Sequence, residues 1–203
     1  MATEYDDRYR STTSYWGQRP SQLALSVLEI MPPETHLRLL DIGCGEGQNA
    51  VFFARNGYEV TAFDLSSVGV EKTCRRAAEA GVALHAFQAD LVTFRLMEEY
   101  DVIFSSGTLH YIPDALRAEV FGNYKNHTRL GGIHALSVLV HKPFIPRAPD
   151  ADASAHRFIS GELFTYYHDW QIELCNETIF DCNSGGVPHK HASNRMIARR
   201  LRD

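Results

Sequence analysis

The sequence has few of the features that mark secreted or membrane proteins. Its 203 residues include four cysteines and no Cys-x-x-Cys pair, a usage typical of free thiols in a reducing cytoplasm. No apolar run approaches the roughly 18 residues of a membrane span. The polar, acidic residues 1–7 are unlike a signal peptide. These absences predict a cytoplasmic protein that does not enter a membrane.

An excess of basic residues is also missing. The net charge is −5 and the pI is near 6.0, which argues against a general nucleic-acid binder. No internal repeat or low-complexity tract is visible. A length of 203 residues with 44% hydrophobic residues suits a single domain with a sizeable core. We divide it into an N-terminal segment (1–34), a core (35–140), and a lid loop with a C-terminal hairpin (141–203).

The most informative segment present is a glycine-rich turn. Residues 39–49 read Leu-Leu-Asp-Ile-Gly-Cys-Gly-Glu-Gly-Gln-Asn, with glycines at three alternate positions. Glycine allows a tight turn and a close approach of backbone to ligand, and a strand–turn–helix unit of this kind binds nucleoside cofactors. A dinucleotide fingerprint would need glycine where Gln48 stands, which argues against the rival interpretation, a nicotinamide-dependent oxidoreductase.

Short apolar runs alternate with helix-like stretches from residue 37 onward. This alternation is typical of a parallel sheet covered by helices on both faces. The predicted strands are 37–42, 58–63, 82–87, 100–105 and 133–140, and the predicted helices between them are 48–56, 66–79 and 113–128. A proline-containing loop (141–160), a short helix (160–167) and two late strands (170–180 and 191–200) follow.

Polar side chains at the predicted strand ends support the glycine turn. Asp64 is placed to accept both ribose hydroxyls of a nucleoside. Asp90 can accept an adenine amino group while Leu65 and Leu91 sandwich the ring. The candidate cofactor-binding residues of the core are Asp41, Gly43, Cys44, Gly45, Gln48, Asn49, Asp64, Leu65, Ala89, Asp90, Leu91, Ser105, Ser106 and Gly107.

Over roughly residues 35–140 the chain resembles the class I S-adenosylmethionine (SAM) methyltransferases. The ordered motifs that carry this resemblance are residues 39–49, 59–66, 88–91, 100–112 and 131–132. A narrower resemblance, to the TehB-type enzymes, rests on Tyr15-Trp16-Gly17-Gln18-Arg19, on the Gly-Gln-Asn-Ala after the glycines, and on segments 57–60, 160–170 and 197–200. The resemblance implies SAM as cofactor and S-adenosylhomocysteine as product. It also implies a Rossmann-like α/β fold: a seven-stranded, mostly parallel sheet with a C-terminal antiparallel hairpin and helices on both faces. By the same resemblance, residues 35–140 would be the SAM-binding core and residues 1–34 the cofactor-covering segment, in which Tyr15, Trp16 and Arg19 would close over the cofactor.

The resemblance also implies a small-molecule methyl acceptor, such as the chalcogen oxyanions tellurite or selenite. The family presents a histidine followed by an arginine near the C-terminus, and this chain has His189, His191 and Arg195 in a shorter segment. A soft anion needs no general base, whereas an oxygen or nitrogen acceptor of a small metabolite would need one. His110, His189 or His191 could then act as that base.

A non-catalytic interpretation also stays open, in which the chain binds SAM without catalysing transfer. His189 and His191 would also share one face of a strand, as two metal ligands do, but no carboxylate or thiolate is placed by the sequence to complete a set, so we predict no metal. We expect a monomer or homodimer that binds no nucleic acid.

Overall fold

The computed structural model describes residues 4–10, 14–148, 154–183 and 186–202. Within them, seven strands form one sheet in the order β3-β2-β1-β4-β5-β7-β6. The strands are β1 (Arg38–Ile42), β2 (Glu59–Asp64), β3 (His85–Gln88), β4 (Tyr100–Ser106), β5 (Thr128–Val140), β6 (Gln171–Cys182) and β7 (His189–Arg199). Strands β1 to β5 are parallel, and β7 lies antiparallel between β5 and β6. The predicted mostly parallel sheet with a late antiparallel hairpin is confirmed.

The helices connect the strands as the sequence periodicity predicts. They are α1 (Glu4–Tyr9), α2 (Gln22–Ile30), α3 (Gln48–Arg55), α4 (Ser67–Glu79), α5 (Asp114–Asn126) and α6 (Glu162–Thr165), with a 3₁₀ turn at Leu109–Tyr111. Helix α4 begins where predicted, because the Ser66 hydroxyl accepts a hydrogen bond from the Gly69 N–H at 3.0 Å. Helix α1 was not predicted.

Two apolar layers cover the two faces of the sheet. Val27 of α2 and Phe53 of α3 are buried with Leu39 on one face. Phe121 and Tyr124 of α5 are buried with Leu40 on the other. Strand β1 lies between both layers, so its carboxyl end and the glycine turn that follows are held rigidly at one edge of the sheet.

The segment after β5 contains neither a helix nor a long strand in its described part, as predicted for a lid loop. Phe158 makes an isolated bridge to Val140. Arg117 of α5 is almost completely buried, lies 3.7 Å from the centre of the Phe158 ring, and pairs with Glu162 of α6 at 2.5 Å. The buried Arg117 side chain thus fixes the end of this loop to α5 and α6.

In the described part of the chain, every helix is too short or too polar to span a bilayer.

Candidate cofactor and acceptor site

The glycine turn is fixed by backbone hydrogen bonds and needs its glycines. Gly43, Gly45 and Gly47 all have positive φ, at 70°, 55° and 82°, a region that other residues rarely adopt. The Gly43 N–H donates to the Phe63 carbonyl at 2.8 Å. A Cβ on Gly43 would lie 2.3 Å from the Thr108 side chain. The turn therefore packs directly against the segment that follows β4.

Asp64 lies at the end of β2, beside this turn, as predicted. Its Oδ2 accepts the Gly45 N–H at 2.8 Å and its Oδ1 accepts the Ser66 N–H at 2.9 Å. Burial raises the pKa of the carboxyl group above its usual value, while these backbone N–H groups oppose the rise. The side chain thus shapes the turn, and each oxygen keeps further lone pairs for a ligand.

Asp41 and Gln48 supply buried acceptor atoms that the protein does not use. Within the described residues, the Asp41 Oδ2 and the Gln48 Oε1 have no hydrogen-bond partner. Burial, and secondarily the charge of Asp64, raise the pKa of Asp41 to about 8. Unused buried polar atoms are costly unless a ligand supplies partners. The ammonium group and the hydroxyls of SAM are such partners, and a nearby ammonium would favour the ionised form of Asp41, so the residues fit this cofactor.

The residues predicted for the adenine base lie at the neighbouring ends of β2 and β3. Leu65 exposes 48% of its surface, and its carbonyl accepts a bond from the Gln88 side chain at 2.8 Å. The Ala89 N–H donates to the Asp64 carbonyl at 3.0 Å. Asp90 Oδ1 accepts the Val92 N–H at 2.8 Å, and Leu91 is buried in the core. The adenine roles of Leu65, Asp90 and Leu91 stay predictions.

Three further predicted residues have structural contacts. The Ser105 hydroxyl donates to the Ile42 carbonyl at 2.9 Å, joining the ends of β4 and β1. The Asn49 side-chain oxygen accepts the Ser21 N–H at 2.8 Å, at the start of α2. Cys44 is buried, and burial holds the pKa of its thiol well above the usual value. These contacts support positioning roles, and a reactive Cys44 thiolate is disfavoured.

Glu46 organises the N-terminal segment and was missed by sequence reasoning. Its Oε2 accepts the Tyr15 N–H at 2.7 Å and the Trp16 N–H at 3.3 Å, and Lys72 pairs with its Oε1 at 2.8 Å. A charged residue inside a glycine turn, with a lysine on α4 to pair with it, was the available signal. Arg19 is exposed and forms no hydrogen bond or ion pair with the described residues.

Helix α1 lies over the glycine turn and was also missed. A Cβ on Gly45 would be 3.1 Å from the Tyr9 hydroxyl oxygen, which accepts a hydrogen bond from the Trp16 indole N–H at 2.9 Å. The Ser66 hydroxyl donates to Asp6 at 2.5 Å. The N-terminal segment thus covers the turn, with Trp16 contributing through Tyr9, while its closure over the cofactor stays a prediction.

A small cavity of about 140 Å³ lies beside the end of β4. It is bounded by Gly107, by residues of α2, β5 and β6, and by Arg195 of β7. Its hydroxyl-bearing lining residues are Ser21, Ser106, Ser137 and Ser193. No carboxylate or carbonyl among the described residues is bonded to the Arg195 guanidinium. The cavity therefore combines several hydroxyl donors with a guanidinium group that forms no ion pair or carbonyl hydrogen bond with the described residues.

The three candidate histidines do not line this small cavity. His110 is buried in the 3₁₀ turn, and its ring centre is 4.5 Å from that of Tyr111. His189 lines a separate cavity of about 430 Å³, and its Nε2 is 2.9 Å from the Nε2 of His191. The structure thus places Arg195 next to the predicted cofactor edge and the two C-terminal histidines farther out on the hairpin.

Comparison with known proteins identifies relatives. The chain is 30% identical over 147 residues to Hemagglutinin 1 of Eikenella corrodens, covering 70% of this chain and 46% of that protein. It is 24% identical over 202 residues to the probable S-adenosyl-L-methionine-dependent methyltransferase TehB of Haemophilus influenzae (strain ATCC 51907 / DSM 11121 / KW20 / Rd), covering 97% of this chain and 66% of that protein. The chain thus spans about half to two thirds of the length of these relatives.

The fold has a similar counterpart among solved structures. The crystal structure of TehB from Haemophilus influenzae superposes with a TM-score of 0.78 at 22% identity, covering 97% of this chain and 65% of that one. The family model for tellurite resistance protein TehB matches residues 5–194. With its glycine turn, strand-end carboxylates and class I methyltransferase fold, the chain belongs to the TehB family.

Proposed function

We propose that the protein is a SAM-dependent methyltransferase that acts on a small chalcogen oxyanion, tellurite or selenite. The observation that carries the acceptor assignment is the cavity beside Ser106 and Gly107, with Arg195 in its wall. The edge of the sheet at which this cavity lies is the one that presents the glycine turn. Cofactor and acceptor would therefore be neighbours.

The size and lining of the cavity favour a small anion. Its volume of about 140 Å³ is below the roughly 300–1,000 Å³ of pockets for drug-sized ligands. The Arg195 guanidinium offers two parallel N–H donors, which match the geometry of an oxyanion. The serine hydroxyls around it can donate to the remaining oxygens.

The chemistry needs little from the protein beyond binding and alignment. Bound SAM supplies a methyl group made electrophilic by its sulfonium sulfur. A lone pair on the tellurium or selenium of the acceptor would form the new bond to carbon, and the electrons of the broken carbon–sulfur bond would leave with S-adenosylhomocysteine. Arg195 would hold the anion in line for this displacement, and no general base is needed because no proton is removed.

The test measures S-adenosylhomocysteine formation by liquid chromatography with tellurite, selenite and a panel of small hydroxyl and amine acceptors. We expect turnover with the oxyanions. Arg195→Gln should lower kcat/KM for the oxyanion by about tenfold to 100-fold, the loss expected for one charged hydrogen-bonding group, and should leave S-adenosylhomocysteine affinity unchanged.

Arg202→Gln is the matched control, because Arg202 is exposed in the same basic run at residues 195–202. It should behave like the unchanged protein. Turnover confined to the hydroxyl or amine acceptors would reject the oxyanion and favour a metabolite methyltransferase. Calorimetric binding of S-adenosylhomocysteine without turnover on any acceptor would favour a non-catalytic SAM-binding protein, and no binding at millimolar ligand would reject the cofactor.

A further inference from the structure

The end of the β6–β7 hairpin gathers three side chains that carry metal-binding atoms. Cys182, the last residue of β6, is the direct cross-strand partner of His189, the first residue of β7. His191 follows two residues later. Cross-strand partners and alternate residues of a strand share a face. The thiol sulfur and one nitrogen from each imidazole accordingly lie within 4.8 Å of one another.

The ring of His189 is oriented as a metal ligand would be. Its Nδ1 lies 2.7 Å from the Val187 carbonyl oxygen. A carbonyl can only accept, so Nδ1 carries the hydrogen and Nε2 presents its lone pair. Metal-binding histidines commonly donate their other ring N–H to a backbone carbonyl in this way. In the metal-free protein this lone pair accepts a hydrogen bond from the Nε2–H of His191, 2.9 Å away, so both nitrogens face the same point.

We propose that Cys182, His189 and His191 bind one Zn²⁺ ion. Thiolate sulfur and imidazole nitrogen are the ligands that zinc prefers, and three protein ligands leave a fourth tetrahedral position open. Zn–N bonds of about 2.0–2.1 Å and Zn–S bonds of about 2.3 Å place two nitrogens about 3.3 Å apart, and a nitrogen and a sulfur about 3.6 Å apart.

The structure is close to these distances. The two nitrogens, 2.9 Å apart, need to separate by about 0.4 Å, and the cysteine sulfur, within 4.8 Å of them, needs to approach by at most about 1.2 Å, within reach of side-chain rotation. All three residues are half-buried, so an ion can reach them without unfolding of the hairpin.

The surroundings of the ion define what could occupy its fourth position. His189 also lines the cavity of about 430 Å³, together with Arg147 and Lys190. These positive side chains favour water or a small anion over a further cationic group. This site is distinct from the cavity at Arg195, so the proposal does not depend on the identity of the methyl acceptor.

The experiment uses tag-free, chelator-treated protein, because a polyhistidine tag would bind zinc itself. Titration with Zn²⁺ against a chromophoric chelator should show one saturable site per chain. Cys182→Ser and His191→Gln should each weaken its affinity by about tenfold or more. Substitution with Co²⁺ should give an ultraviolet thiolate-to-cobalt charge-transfer band that Cys182→Ser abolishes.

Cys175→Ser is the matched control, since Cys175 lies on the same strand but is exposed and outside the cluster. It should bind both metals like the unchanged protein. Equal zinc affinity in Cys182→Ser and Cys175→Ser, or a cobalt complex without the charge-transfer band, would overturn the proposal. Circular dichroism establishes that each variant is folded, and S-adenosylhomocysteine binding, expected to be unchanged in Cys182→Ser, reports on the cofactor site separately.

Discussion

Asp64 shows at the residue scale how one side chain both shapes a turn and stays available to a ligand. Each of its oxygens accepts one backbone N–H, from Gly45 or from Ser66. A carboxylate has about four lone-pair sites. Two are left for the adjacent hydroxyls of a ribose, so the contacts seen in the protein and those proposed for the cofactor are compatible.

Asp64→Ala is expected to weaken S-adenosylhomocysteine binding by about 1–3 kcal/mol, because it removes a charged acceptor from two hydroxyl groups. Calorimetric titration measures this change. Glu59→Ala is the control, since Glu59 is an exposed carboxylate at the other end of β2. Equal affinities in the two variants would remove the ribose role of Asp64.

Asp41 gives a pH dependence whose sign follows from its raised pKa. In the unfolded chain it ionises near its ordinary value of 3.8, whereas in the folded protein it keeps its proton up to about pH 8. Between these values the folded state binds more protons. The free energy of unfolding should therefore fall as the pH rises through this window, and the contribution is lost above about pH 8.

Asp41→Asn should flatten this dependence. Urea unfolding of the cofactor-free protein at about pH 6.5 and about pH 8 measures it, and the difference between protein and variant isolates Asp41. Buried His134, whose pKa is lowered to about 3 by burial, is neutral in the folded state across this range. A variant with the same slope as the unchanged protein would contradict the raised pKa.

At the scale of elements, the N-terminal segment depends on a few polar contacts. Helix α1 has six residues, too short to be stable without tertiary contacts. Tyr9 is buried against the glycine turn, while Glu46 holds the backbone of Tyr15 and Trp16. Whether α1 and the backbone of Tyr15 and Trp16 stay packed on the glycine turn therefore depends on their contacts with Gly45 and Glu46 of that turn.

Glu46→Gln should loosen the N-terminal segment, because an amide oxygen accepts more weakly than a carboxylate and loses the pairing with Lys72. Trypsin cleavage after exposed Arg10, which is followed by Ser11, should accelerate, by about threefold to tenfold for a loss of roughly 1 kcal/mol, when followed by mass spectrometry. Glu79→Gln, at an exposed helical position, is the control. Unchanged cleavage would assign the cover to the apolar contacts of Tyr9 instead.

At the scale of the whole molecule, Arg117 is the main polar link between α5 and the segment after β5. It pairs with Glu162 and donates to the carbonyl oxygens of Ile112 and His156. Its side chain is 1% exposed, and that of Glu162 20%. An ion pair this deeply buried leaves an uncompensated charge when one partner is removed.

Arg117→Ala should lower the free energy of unfolding by about 3 kcal/mol, the lower end of the cost of breaking a buried pair, because Glu162 keeps some contact with water. Arg95→Ala should cost at most about 1 kcal/mol, since Arg95 and Glu119 form a partly exposed pair. Urea unfolding measures both. Equal losses would show that the burial of Arg117 adds nothing.

The local pattern of the sequence predicted the parallel half of the fold because each unit there is specified locally. A strand run, a turn glycine and a capping serine such as Ser66 lie within a few neighbouring residues. Helix α1 was missed because its burial depends on residues more than 35 positions away, at Gly45 and Ser66. The meeting of Cys182 with His189 and His191 was missed for a different reason: these residues are close in sequence, but the register of the β6–β7 hairpin brings them together, and the predicted strand ended at residue 180.

The proposed cofactor site and the proposed acceptor site draw on different parts of the chain. The predicted cofactor contacts of the core come from residues 41–107, whereas the cation of the small cavity comes from β7, which enters the sheet in the opposite direction. Under the proposed function, substitutions in the hairpin would alter which anion is accepted while the cofactor contacts persist. The acceptor could then change through this late strand alone, with the glycine turn kept as it is.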